Sequence, residues 1–113
     1  MKNTILLIVL LLGLSVVLSA HPAASVTANF DKEENLLTVS FKHQVKDSAD
    51  HFIGEIVVTL NKKEIIRQKL SLQDSNDGGA LLYKINNLKV NDRLDITTSC
   101  NKVGKKSQTL VIK

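Results

Sequence analysis

An all-β fold, a seven-stranded antiparallel sandwich of immunoglobulin-like kind, is predicted by three features of the chain after residue 20. Short runs rich in Val, Ile, Leu and Thr recur along it, turn-forming Asn, Asp and Gly separate them, and no stretch carries a long helical period. Each strand run is apolar on one face only. Two such sheets must bury their faces on each other, which makes a sandwich the natural solution.

Residues 1–20 are of a different kind. Lys2 supplies a positive start, Ile5 to Leu14 with Val16 and Val17 form an apolar stretch, and Leu18, Ser19 and Ala20 end in the small residue that signal peptidase requires. A signal helix cleaved after Ala20 is expected. The alternative is an uncleaved membrane anchor, but the apolar run is short for a spanning helix of about 20 residues; with cleavage the mature form is expected not to span a membrane. Residues 21–113 then form one exported domain, periplasmic or extracellular, that begins with His21. It is near the size at which one hydrophobic core suffices without disulfides.

The strands are expected at 25–30, 36–43, 52–60, 64–72, 80–85, 94–100 and 107–112. Turn chemistry falls between them at Asp31 to Asn35, Asn61 to Lys63, Asp74 to Gly79, Asn86-Asn87, Asn91-Asp92 and Val103-Gly104. In 36–43 the alternation puts Leu37, Val39, Phe41 and His43 on one face, with Thr38, Ser40 and Lys42 on the other. In 94–100, Leu94, Ile96, Thr98 and Cys100 share a face. His43 and Cys100 are therefore both expected to end their strands on the inner side, and with His51 to converge at one end of the sandwich.

Composition narrows the function. The formal net charge is +4, but the lysines are scattered and aromatics make up only 4% of residues, so a basic face with stacking platforms for nucleic acid is absent. No nucleophile elbow or phosphate-binding loop appears, which removes the common hydrolase and nucleotide-binding readings. Cys100 has no second cysteine to pair with, although an exported protein meets oxidising conditions. It is a free thiol, an intermolecular half-cystine or a metal ligand, a small buried hydrophobe being the plainest form of the first.

The segment from His43 to His51, followed by Phe52 and Ile53, resembles the loop that carries two iron-ligating histidines in the superoxide reductase and desulfoferrodoxin family. Cys100-Asn101 resembles the start of that family's cysteine-asparagine-any-histidine motif, and His21 resembles its amino-terminal ligand histidine. The similarity covers most of residues 21–113 and is nearest to short exported members that begin with His-Pro. It implies a mononuclear, non-haem iron held by His21, His43, His51 and Cys100, with the thiolate as axial ligand. Superoxide or another small ligand would bind the metal, and an unidentified donor would supply electrons for reduction of superoxide to hydrogen peroxide. Three departures accompany the match. Val103 stands where the motif's histidine should be, Ser19 and Ala20 stand where catalytic members carry a glutamate and a lysine, and eight positions separate His43 from His51.

Imidazole and thiolate together suit iron, copper or zinc rather than magnesium or calcium. Copper is the alternative metal: as the first residue of the mature chain, His21 would offer both its α-amine and its imidazole to one ion, while Pro22 has no amide proton to lose. A copper carrier outside the cytoplasmic membrane is thus a second reading. A metal-free sandwich that binds another exported protein by its edges, with the histidines as ordinary surface residues, is a third.

Overall fold

The computed structural model describes residues 21–113; the expected signal helix at 1–20 lies outside the described residues. The chain forms β1 (Ser25–Asp31), β2 (Leu36–Lys42), β3 (Ile53–Leu60), β4 (Lys63–Lys69), β5 (Gly78–Lys84), β6 (Arg93–Cys100) and β7 (Lys105–Val111). They lie in two sheets, one ordered β1-β2-β5 and the other β4-β3-β6-β7, and every neighbouring pair is antiparallel. No helix occurs among the described residues, and so none is long and apolar enough to cross a membrane. The chain passes between the sheets in the β2–β3, β4–β5 and β5–β6 connections.

The alternation read from the sequence sets the core. Leu37 and Val39 of β2 are fully buried, and so are Leu94, Ile96 and Thr98 of β6. Each large aliphatic side chain removed from water contributes about 1.5–3 kcal/mol, which is what offsets the ordering of a small chain without disulfides. In β3, Ile53 and Ile56 both point inward although three positions separate them, a spacing that would put them on opposite faces of a regular strand. A bulge resolves this. Ile53 pairs with Cys100 and Glu55 with Ser99, so Gly54 is the extra residue that resets the parity.

The turns form where the sequence places them. Asn35, Asn61, Asn87 and Asn91 all have positive φ, between 49 and 75°, the conformation that asparagine tolerates better than most residues. Asn61 and Lys62, both left-handed, make the two-residue hairpin that joins Leu60 to Lys63.

Most strand ends fall within one or two residues of expectation, and three of the differences have a clear physical cause. The first sheet's middle strand stops at Lys42, because the His43 N–H turns to Asp77 O, 2.9 Å away, and leaves the ladder. The strand expected to run to residue 72 stops at Lys69, because the chain beyond Leu70 bends inward and buries Gln73. Strand β5 starts two residues early, at Gly78, whose φ is 146° and whose place admits no side chain: a Cβ there would meet Phe41 O at 2.1 Å.

The open sides of the sandwich are closed differently. Strand β1 packs beside β7 on one side. On the other, the Tyr83 hydroxyl of β5 donates to Gln68 Oε1 of β4, 2.7 Å away, tying the two edge strands across the sheets. Burial pushes the Tyr83 phenol up to about 12. The folded chain holds this proton more tightly than the unfolded one, whose phenol titrates near ~10. The stability it contributes is therefore present below pH ~10 and is lost as pH rises through about 12. Tyr83 is the single tyrosine and there is no tryptophan. Ultraviolet titration of the phenolate should accordingly show one midpoint near 12 in the folded protein and one near ~10 in denaturant; a midpoint near ~10 without denaturant would show that the β4–β5 side is open.

Candidate metal centre

Four segments meet at one end of the sandwich: the residue after β2, the strap before β1, the β2–β3 loop and the β6–β7 turn. His43 occupies the first. Its inward parity continues that of Leu37, Val39 and Phe41, and it is fully buried. Its Nδ1 lies 2.9 Å from Gln73 Oε1 and its Nε2 lies 3.1 Å from His21 O. Gln73 is itself buried, and its amide nitrogen donates to His43 O and Ser75 O at 2.7 and 2.9 Å. Its oxygen also accepts the Ile53 N–H at 3.1 Å.

The strap brings His21 over His43. Ala24 N–H donates to Lys42 O at 2.7 Å, which extends the β1–β2 ladder by one step and fixes the direction of the residues before it. Pro22 then lies against Gly104, whose φ is 96° and where a Cβ would meet Pro22 Cδ at 2.8 Å. Gly104 therefore supplies both the left-handed turn after Cys100 and the space that the strap occupies. His21 Nδ1–H donates to Pro22 O at 3.0 Å, which leaves Nε2 to carry the ring's lone pair.

His51 is set by the loop and by Asn101. The loop turns at Asp47, whose carbonyl accepts from Asp50 and His51 N–H at 3.1 and 2.9 Å and whose carboxylate accepts from Ala49 N–H at 3.0 Å. Asn101 then grips its far end from the β6–β7 turn. Its side-chain oxygen accepts the Phe52 N–H at 2.9 Å, its amide donates to Asp50 O at 2.9 Å, and its backbone N–H donates to Phe52 O at 2.9 Å. This places His51 Nε2 at 3.1 Å from Cys100 Sγ.

The three imidazoles form a near-equilateral group, with ring centroids 4.9 Å (His21–His43), 5.2 Å (His21–His51) and 4.8 Å (His43–His51) apart. One nitrogen from each lies within 4.8 Å of the others, so the three histidines could hold a metal ion. Cys100 is not within that three-nitrogen group; it reaches the cluster through His51 and also accepts the Lys102 N–H at 3.4 Å. Donors bound to one ion at about 2.0–2.1 Å for nitrogen and about 2.3 Å for sulfur lie about 3–4 Å from one another. The His51–Cys100 separation already has that value, and the widest nitrogen pair would close by about 1 Å.

The donors are also presented as a metal needs them. Two of the imidazoles tie Nδ1 to an oxygen acceptor, the arrangement in which ligating histidines are usually fixed. Burial lowers the pKa of His51 below its ordinary value, and proximity to His43, His21 and Lys102, which repel a second cation, lowers it further against the opposing effect of Asp50. Its neutral, lone-pair form is thereby favoured. Beside the histidines lies a cleft of about 650 Å³, lined by His21 and His51 with Lys46, Asp47, Asp50 and Lys102. Lys102 and Asp50 form an ion pair of 3.5 Å across its rim.

Sequence reasoning placed His43 and Cys100 on the inner side and grouped them with His51 and His21. It missed Gln73 altogether and the grip of the Asn101 amide on the His51 loop. Val103 is half exposed, and the turn offers Lys102 to the cleft. The reading of the histidines as ordinary surface residues does not hold for His43. A comparison with protein-family models and one with curated proteins find no match for the chain.

The three histidines should differ in what their removal costs. Replacing His43 by alanine empties a fully buried site and leaves Gln73 short of a partner, a loss of roughly 2–4 kcal/mol in urea unfolding. His51→Ala, at the partly exposed rim, should cost within about 1 kcal/mol. Both should abolish binding of cobalt(II), read from its visible absorption, and undiminished binding in either variant would remove that histidine from the site.

Proposed function

We propose that residues 21–113 are an exported immunoglobulin-like domain that holds one late first-row metal through His21, His43 and His51, with Cys100 as a thiolate donor, and that iron in this site acts on superoxide. The observation that carries the proposal is the grouping of three imidazole nitrogens within 4.8 Å with a thiol 3.1 Å from one of them. A three-stranded sheet facing a four-stranded one, with the chain crossing after the second strand, supports the immunoglobulin-like class. Export is consistent with a lone cysteine that serves as a ligand and has no disulfide partner.

The donor set fits iron: imidazole and thiolate are both suited to it. Bound there, iron would supply one-electron chemistry, its potential set in part by the thiolate. The protein's own contribution is positional. Gln73 and Asn101 hold His43 and His51, and the cleft beside the cluster admits a small ligand with Lys46 and Lys102 at its wall. The overall change adds one electron and two protons to superoxide to give hydrogen peroxide, the electron coming from an external one-electron donor.

Copper held by the mature amino terminus is less well supported. Chelation by the α-amine and its own imidazole closes a ring through Nδ1, and His21 Nδ1 is engaged with Pro22 O.

Protein loaded with ferric iron should show a sulfur-to-metal absorption band that Cys100→Ser removes, because serine's hard oxygen replaces a polarisable sulfur. Given a chemical reductant, it should consume superoxide and yield hydrogen peroxide without releasing dioxygen. An unchanged band in Cys100→Ser would eliminate the thiolate. Loss of metal binding when one residue is added before His21 would favour the copper carrier.

A further inference from the structure

We infer that Gln73 is a positioning residue of the metal centre, one that fixes the tautomer of His43 and so selects Nε2 as the ligating nitrogen. The inference rests on the metal reading above and adds to it a residue from the β4–β5 connection, which supplies no ligand itself.

The orientation of the Gln73 amide is decided by its surroundings. Its nitrogen faces two carbonyl oxygens, His43 O and Ser75 O, which can only accept. Its oxygen faces the Ile53 N–H, which can only donate. Rotating the amide by half a turn would set oxygen against two oxygens and N–H against N–H, so the group is locked. The remaining contact of the locked oxygen is His43 Nδ1 at 2.9 Å, and an oxygen that only accepts requires a proton on that nitrogen.

With the proton on Nδ1, neutral His43 carries its lone pair on Nε2. That nitrogen points to the His21 carbonyl at 3.1 Å, a second acceptor, within a ring that is fully buried. A lone pair facing an oxygen has no favourable partner, and water does not reach the ring. An ion bound to Nε2 and to the neighbouring imidazoles would satisfy it, and those imidazoles have their centroids 4.8 and 4.9 Å away. The amide thus holds the ring's orientation, denies it the other tautomer and leaves Nε2, on the side of the His21 strap, as the nitrogen with a free lone pair. His21 is oriented by a backbone carbonyl alone; His43 depends on a side chain, and a side chain can be replaced.

Nitrogen-15 correlation spectra of the metal-free protein at about pH 8, where free imidazole is neutral, read the tautomer directly. Wild-type His43 should be protonated at Nδ1. A ring protonated at Nε2 overturns the inference without any variant. Gln73→Leu should release the ring, populating the Nε2–H form, and weaken cobalt(II) binding by roughly 10–100-fold. Gln73→Glu keeps the acceptor but loses both donated bonds; it should be less stable, yet retain the Nδ1–H tautomer and most of the affinity. If Leu and Glu weaken binding equally, in step with their loss of stability and with no change of tautomer, Gln73 is only structural and the inference fails. If the wild type shows the Nδ1–H tautomer but binds no cobalt(II), zinc(II) or iron(II), the metal reading falls and takes the positioning role with it. The two failures are therefore told apart.

Discussion

The buried amide of Gln73 is the contact on which this end of the molecule depends. Its hydrogen bonds reach the residue after β2, the first residue of β3 and the connection between β4 and β5. Those segments belong to different sheets, so one side chain joins the two halves of the sandwich where no strand ladder does. A buried amide left short of partners costs about 1–3 kcal/mol for each unmade bond, and a fully satisfied one specifies a single arrangement. The β2–β3 loop has little choice in consequence. It is also pinned to the β4–β5 connection by Asn76, which accepts the Ser48 N–H and donates to Lys46 O.

How much of this was legible in the sequence depends on whether the signal was periodic. Strand parity placed His43 and Cys100, because a period of two is rigid and both residues end long alternating runs. The turn asparagines were legible for a local reason, their tolerance of positive φ. The bulge at Gly54 left a trace that was not used: two buried isoleucines three positions apart with a glycine between them. Gln73 left none. It lies among polar turn residues, and its importance arises from partners twenty and thirty positions away. Tertiary hydrogen bonds of that kind have no sequence period. Asn101 was noticed only as a neighbour of Cys100, and its grip on the loop likewise spans the fold.

The three histidines are held with unequal firmness, and the inequality follows from their segments. His43 is buried at the end of a core strand and bonded through Nδ1 to the buried Gln73 amide. His51 sits on a loop that is clamped at both ends but partly open to the cleft. His21 is carried by a strap anchored by one ladder bond, by the seating of Pro22 on Gly104 and by the buried Ala23 side chain, with no strand pairing of its own. A rigid imidazole with two more adaptable ones around it is suited to closing on an ion by the ångström or so that bond lengths demand.

That adaptability ties metal to folding. A ligand that binds only the folded state stabilises it by RT ln(1 + [L]/Kd), about 2.7 kcal/mol at one hundred times Kd. Here the stabilisation would not spread evenly. The strap lies outside the strand ladders, so an ion that joins His21 to His43 and His51 would add to its anchoring directly. Strand β1 continues directly from that strap and lies at the sheet edge beside β7. The β1–β2 ladder runs from Ser25–Lys42 next to the site to Asp31–Leu36 at the opposite end of the sandwich. Strand β1 is thus the element that follows the strap most directly, while His43 and Gln73 tie the same end to β2 and β3.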